Sequence, residues 1–369
     1  MKTPGIVRPT IAREIFDLVK EAVKEQASDI HLRGDSIARI RIDGELYDIE
    51  GLKPNEADLK RFIYDMLPKH LIEHYERTHD LDFSHAIDNF CRLRICVFSE
   101  RGNFSVAIRL IPTRIPTMEE IYLPEVCNEF VNLNKGLVLV TGPTGCGKST
   151  TLAAMLDYIN TSRRCHILTI EDPIEYVYDD KFATVSQREV LADTDSFSEA
   201  LRHAFRQDPD VILIGEMRDQ ETMQTAITLA ETGHLTFSTL HTGEAPQTIT
   251  RIIDSFPPHQ QQQIRMQLSL SLVGIISQQL LPLKEGRGRV AAREVLVCNQ
   301  AVANLIRENK IPQIKSALQT GVEEGMITMN ASLGHLLEQD IISYKVALAY
   351  SWDKKSFAEK YGPLQKKQG

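Results

Sequence analysis

The sequence has no run approaching the roughly 18 apolar residues that span a membrane, so membrane contact is expected only through partners. Its six cysteines, at 91, 96, 127, 146, 165 and 298, include no C-x-x-C pair. That argues against a zinc site and a disulfide framework, and fits a reduced, cytosolic setting. A basic balance is missing as well: 42 Lys and Arg stand against 50 Asp and Glu, for a net charge of −8. Direct nucleic-acid contact is therefore not expected. The opening Met1-Lys-Thr-Pro-Gly has no apolar h-region, so no signal peptide is expected. There is no internal repeat and no low-complexity segment. What is left is a globular composition, 42% apolar and 25% charged over 369 residues. That length predicts about two or three domains.

One stretch organises the chain. Residues 137–140 form an apolar run of strand composition, and Gly142-Pro143-Thr144-Gly145-Cys146-Gly147-Lys148-Ser149 follows as a complete G-x-x-x-x-G-K-[ST] motif. Thr150 and the apolar positions from Leu152 onward continue with helical spacing. In this order of strand, glycine loop and helix, backbone N–H groups turn inward and the helix N-terminus adds partial positive charge. Lys148 is placed to reach the β- and γ-phosphates of ATP, and Ser149 to offer its hydroxyl to Mg²⁺.

The first hundred residues are patterned differently. Residues 1–9 read as a loose arm, and Ile11, Ile15, Leu18, Val19, Ala22 and Val23 mark one face of a helix. Three short strands are expected over 27–32, 37–42 and 45–49, the last two joined by an Asp43-Gly44 hairpin turn. Residues 55–77 read as helices around a break at Pro68, and His31 as a core or turn histidine. A second hairpin pairs 92–98 with 104–111 about Arg101-Gly102. In the register that sets Leu93 against Leu110, Ile95 against Ile108 and Val97 against Val106, one face is wholly apolar. The same register sets Arg94 opposite Arg109, an unfavourable pair unless an anion sits between them. The alternative is two arginines splayed into water or paired with local acids.

Residues 112–133, with three prolines by 124, read as a linker between a domain at 1–111 and one at 134–369. Beyond it strands alternate with helices, as in a doubly wound parallel sheet. Strands are expected at 137–140, 166–170, 211–214, 235–240 and 290–297, with helices at 150–160, 196–206, 221–231 and 260–281 and a helical region from 301. Ser196-Phe-Ser-Glu199 is a capping box. The glutamines at 260–263 read as a wet helix face, and the Lys366-Lys-Gln-Gly tail as frayed.

In such sheets ligands gather at the carboxyl ends of the strands. There the sequence puts the phosphate loop, Glu171 with Asp172, Glu216, and His241. Glu216 ends an apolar strand as a Walker B acid does, with Gly215 in place of the usual aspartate. Glu171 is the preferred residue for orienting the attacking water and Glu216 for the metal, although sequence does not separate the two roles. His241 is a candidate donor to the γ-phosphate, and His234 reads as structural. Candidates for an arginine finger are Arg206, Arg218 and the Arg94/Arg109 pair. If that pair serves, the N-terminal domain closes over a nucleotide site, and a ring of subunits is the natural arrangement.

Together these motifs resemble the type IV pilus retraction ATPases, the PilT/PilU group of the secretion ATPase superfamily, over nearly the whole chain. The matching stretches are the phosphate loop, an "Asp box" at Ile170-Glu-Asp-Pro-Ile-Glu-Tyr176, Gln187-Arg-Glu-Val190, Arg206-Gln-Asp-Pro-Asp-Val211, the Walker B form Ile214-Gly-Glu216, a "His box" running from Ala230 to His241, and Ser28-Asp-Ile-His-Leu32. The resemblance implies a RecA-like P-loop ATPase core with a smaller α+β PAS-like N-terminal domain, assembled as a homohexamer. It further implies ATP hydrolysis that drives pilin out of the fibre, docking on the inner-membrane platform protein from its cytoplasmic face, and a paralogous retraction ATPase as a further partner. Arg94 and Arg109 match the spacing of the family's γ-phosphate arginines. Gly325-Met-Ile-Thr-Met329 keeps a further family pattern. The sequence departs at Ala303, where retraction members carry arginine, which leaves an accessory paralogue of pilus, DNA-uptake or secretion machinery as the alternative. Pilus assembly and type II secretion ATPases usually add a longer N-terminal region and a four-cysteine zinc insertion, and this sequence shows neither.

Overall fold

The structure is a computed structural model that describes residues 11–25, 27–42, 44–87, 91–111, 114–286 and 288–368. The expected arm at 1–9, Asp43 of the first hairpin turn and Gly369 of the tail lie outside these residues. The chain separates into two compact units, Met1–Arg114 and Ile115–Gly369.

The first unit is built on a six-stranded antiparallel sheet. Its strands are β1 (Asp29–Arg33), β2 (Arg39–Ile42), β3 (Glu45–Asp48), β4 (Asp80–Ile87), β5 (Cys91–Glu100) and β6 (Asn103–Ile111), in the order β3-β2-β1-β6-β5-β4. Leu93, Ile95, Val97, Val106, Ile108 and Leu110 alternate along β5 and β6 and are buried, together with Ile30 and Leu32 of β1. They form one core with the helices Ile11–Lys24, Glu56–Tyr64 and Lys69–Thr78, which contribute Leu18, Leu59, Ile63 and Tyr75. The β5–β6 pairing follows the apolar register, Leu93 to Leu110, Ile95 to Ile108 and Val97 to Val106, and so sets Arg94 against Arg109. The turn residues Arg101 and Gly102 both have positive φ, at 53° and 78°, which the two-residue hairpin between Glu100 and Asn103 requires. Strand β4 was not anticipated. It adds to the β5 edge in register Phe83 to Ile95 and Leu81 to Val97.

The second unit holds a seven-stranded sheet: β7 (Gly136–Thr141), β8 (His166–Glu171), β9 (Thr184–Glu189), β10 (Val211–Ile214), β11 (Leu235–Leu240), β12 (Leu272–Pro282) and β13 (Arg289–Val297), in the order β13-β12-β7-β11-β10-β8-β9. All neighbours are parallel except the β12–β13 pair. Strands β7, β8, β10 and β11 are buried on both faces almost throughout, with β10 wholly apolar and the polar residues of β8 and β11 buried too, as a sheet covered by helices on each side demands. Ser196 caps the helix Phe197–Ala204 by accepting the Glu199 N–H at 3.1 Å.

Besides the edge strand β9, for which no strand is expected from the sequence, two stretches of this unit differ from expectation. The helix expected over 260–281 ends at Ser271, and Leu272–Pro282 is strand β12. The apolar run there fits either period, and tertiary packing decides it. Gly274 lies so close to Phe130 that a Cβ would sit 2.4 Å from the ring, and β12 fills the slot between β7 and β13. Of the stretch expected as a linker, residues 115–133 fall in the second unit. Met118, Val126, Cys127, Phe130 and Val131 are buried in its core, the last four on the helix Val126–Val131. The buried Arg293 donates from Nη1 to the carbonyls of Ile121 and Tyr122 at 2.9 and 3.0 Å.

Candidate active site

Strand β7 ends at Thr141, and the loop from Gly142 leads into the helix Lys148–Ser162. Gly142, Gly145 and Gly147 have φ of 142°, 77° and 87°, a region that side chains with a Cβ avoid. Gly142 also needs its bareness, since a Cβ would lie 2.3 Å from the Gln278 carbonyl oxygen. Pro143, Thr144 and Gly145 are exposed, Ser149 and Thr150 are half-buried, and Cys146 is buried beneath the loop. The Lys148 ammonium folds back, donating to the Gly142 and Pro143 carbonyls at 2.9 and 3.1 Å. Burial holds Lys148 below its usual pKa, against the opposing fields of Cys146, Glu175 and Glu216. It is thus a desolvated cation held by weak acceptors, which phosphate oxygens can outcompete.

Adjacent strands bring the other candidates to the same edge. Beyond β10, Gly215 donates its N–H to the Ile170 carbonyl at 2.8 Å, and a Cβ there would stand 3.3 Å from that oxygen and 3.4 Å from the Glu171 Cα. This close approach accounts for glycine where a Walker B aspartate is usual. Ser238 and Thr239 of β11 donate their hydroxyls to the Ile214 and Gly215 carbonyls at 2.8 and 2.7 Å, fixing the turn that carries Glu216. The Glu216 carboxylate meets Arg218 Nη2 at 2.5 Å and His241 Nε2 at 3.5 Å. Arg218 is therefore engaged with Glu216. Arg206 is exposed. His234 lies at the end of the helix Gln220–Glu231, its Nδ1 3.0 Å from the Leu229 carbonyl.

Glu171 ends β8 and only 8% of it is exposed. Its carboxylate accepts from Thr169 Oγ1 at 2.7 Å, Gln187 Nε2 at 3.3 Å and the Glu175 N–H at 3.4 Å. Burial pushes its pKa up from 4.5 to about 7, against those three donors. The native protein thus keeps a proton that the unfolded chain releases near pH 4.5, and stability falls as pH rises from about 4.5 to about 7. Glu171→Gln removes that loss. Relative to wild type it gains up to roughly 3 kcal/mol between pH 5 and pH 8 in urea unfolding, and a constant difference across that range would contradict this reading.

Sequence reasoning passed over Glu175 and Gln278. Glu175, rather than Glu171, is an acid whose field reaches Lys148. The signal was the second glutamate of Glu171-Asp-Pro-Ile-Glu175, in a turn entered through the cis Asp172–Pro173 bond. Gln278 of β12 is buried with its amide committed, donating to the Cys146 carbonyl at 2.7 Å and accepting from Thr151 Oγ1 at 2.9 Å. It braces the phosphate loop from below. The polar Ser277-Gln-Gln279 within an otherwise apolar run was its trace in the sequence.

In the first unit, Arg109 Nε donates to Asp29 at 2.9 Å, and Asp29 is the register partner of Arg109 on β1. Arg94 makes no ion pair with the described residues and lies half-buried between Arg109 and Ser84 on its neighbouring strands. One arginine is thus tied to a local acid, and the other makes no ion pair among the described residues.

The family described as type II/IV secretion system protein matches residues 8–332. The chain belongs to that secretion system family. Within the family it stands with the pilus retraction ATPases. It is 46% identical over 330 residues to the type IV pilus retraction ATPase PilT of Pseudomonas aeruginosa, covering 89% of this chain and 96% of that protein. The type IV pilus ATPase PilU of the same organism is 37% identical over 338 residues, 92% of this chain and 88% of PilU. A crystal structure of the pilus retraction motor PilT with bound ADP superposes with a TM-score of 0.85 at 46% identity, over 93% of this chain and 98% of that one. This secretion-family chain is an ATPase of the pilus-retraction group, and the ADP of that crystal structure is bound by PilT. Among its described residues no helix is long and apolar enough to cross a membrane.

Proposed function

We propose that the chain is the motor subunit that retracts type IV pili, driving pilin out of the fibre by ATP hydrolysis. The supporting observation is 46% identity across almost the full length of a pilus retraction ATPase, together with an intact phosphate loop and paired Glu216 and His241. In this reading Lys148 leaves the Gly142 and Pro143 carbonyls for the β- and γ-phosphates. His241 donates to the γ-phosphate, and Arg94 and Arg109 supply positive charge to the departing phosphoryl group. Glu175 orients the attacking water, and Glu171, enclosed by its three donors, holds the Glu175 turn in place. The donor set suits Mg²⁺: a hydroxyl at Ser149 and a carboxylate at Glu216 leave most positions to phosphate and water, as this ion prefers. When bound, it would neutralise charge between the phosphates.

The N-terminal unit is a PAS-like domain, and a short connection joins it to a RecA-like domain. The subunit assembles as a homohexamer in the cytoplasm, at the inner face of the inner membrane, docked on the pilus platform protein and working beside a paralogous retraction ATPase. A second reading, an accessory ring ATPase, rests on Ala303. That residue lies buried on the helix Gln300–Arg307, where retraction members carry arginine. ATPase turnover of the purified protein together with a gene deletion separates the two. The motor reading expects turnover in vitro, loss of twitching and surplus surface pili. Negligible turnover with intact nucleotide binding would sink it, and loss of surface pili would point to assembly.

A further inference from the structure

We propose that Glu294 is a positioning residue for ATP hydrolysis, fixing the loop that carries His241 and, with Lys315, tying that loop to the C-terminal helical region. The inference rests on the reading of His241 as the γ-phosphate donor.

Glu294 lies on β13 and only 5% of it is exposed. It is opposite Ser277 of β12, whose hydroxyl is 2.8 Å from that of Thr141 at the foot of the phosphate loop. Its Oε1 accepts the Ala245 N–H at 3.0 Å. Ala245 opens the helix Ala245–Asp254, and only Thr242, Gly243 and Glu244 separate it from His241. Glu244, the cap residue of that helix, makes no side-chain capping bond, and its carboxylate pairs instead with Lys315 at 2.7 Å. Glu294 therefore supplies the cap from another strand. The Met329 N–H, at the start of the helix Met329–Glu338, also favours its charged form.

One buried carboxylate thus caps the helix that follows the His241 loop and feels the N-terminus of a second, where the positive ends of the helix dipoles favour a negative group. Burial pushes it up to about 7, so the site keeps a group that is costly to ionise. A local cap would satisfy the Ala245 N–H without a buried acid. A residue reaching from β13 does something a local cap does not: it sets the height of the His241 loop relative to β7 and β12. His241 Nε2 is 3.5 Å from Glu216, and a shift of about 1 Å misaligns such a donor enough to slow a reaction by orders of magnitude. Lys315, on the helix Ile314–Thr320, makes the same loop responsive to the C-terminal region.

The test is steady-state ATPase kinetics of the full chain with Glu294→Ala, Glu294→Gln, Lys315→Ala and His241→Ala. The expected result is a drop in kcat of about tenfold for Glu294→Ala and a few-fold for Lys315→Ala, with KM for ATP within about twofold. Glu294→Gln, which keeps an acceptor for Ala245, recovers most of the loss. Glu294→Ala adds little when His241 is already alanine, because both act through one group. Unchanged kcat in a folded Glu294→Ala, or a loss that adds in full to that of His241→Ala, would overturn the proposal. Should Glu294→Ala fail to fold, the exposed Lys315→Ala decides in the same way. Wild-type kcat in His241→Ala marks failure of the His241 reading itself.

Discussion

Lys148→Ala lowers ATP turnover by at least about a hundredfold and leaves the thermal midpoint nearly unchanged. The loss follows from removing the cation that meets the β- and γ-phosphates during phosphoryl transfer, an electrostatic contribution in the range of about 2.7–4 kcal/mol or more. The small stability effect follows from what Lys148 does before nucleotide arrives. Its ammonium is buried, held below its usual pKa by desolvation, and donates among the described residues to two carbonyls. Truncation gives up those two bonds and also removes a buried charge, and the two effects oppose one another. Phosphate release and a circular-dichroism melt on the same preparation check both halves. A variant that melts far below wild type would mean that the loop, and not only the chemistry, depends on Lys148.

Arg94→Ala lowers kcat by about a thousandfold, as loss of an arginine finger does, and at the same time slightly stabilises the first unit. The opposite signs are the informative part. Arg94 faces Arg109 across the β5–β6 ladder, and like charges opposite one another cost roughly 0.2–1 kcal/mol. Removing Arg94 relieves that repulsion. Removing Arg109 relieves it too but also breaks the 2.9 Å pair with Asp29, so Arg109→Ala loses activity without the gain in stability. Normal hydrolysis by both variants would exclude the pair from the reaction.

The β5–β6 register was legible from the chain alone because period-two alternation leaves one pairing with a wholly apolar face. The phosphate loop was legible because its glycines are bound to positive φ, and the strand-end placement of Glu216 and His241 followed from short buried runs. Strand β12 was not legible. Residues 264–281 read Ile-Arg-Met-Gln-Leu-Ser-Leu-Ser-Leu-Val-Gly-Ile-Ile-Ser-Gln-Gln-Leu-Leu, and only the slot beside β7 turns their second half into a strand. Gln278 was hidden for the same reason, since it meets Cys146 and Thr151 across more than 120 residues of chain. Glu171 and Glu175 are chemically identical in sequence. Burial separates them, enclosing the first and leaving the second half-buried in the field of Lys148.

Time-lapse imaging of labelled pili on living cells tests the central claim most directly, comparing wild type with a strain whose only copy of this gene carries Lys148→Ala. Fibres that extend normally but no longer shorten in the variant are the predicted result. Fibres that shorten at an undiminished rate would contradict a role for this chain as the retraction motor.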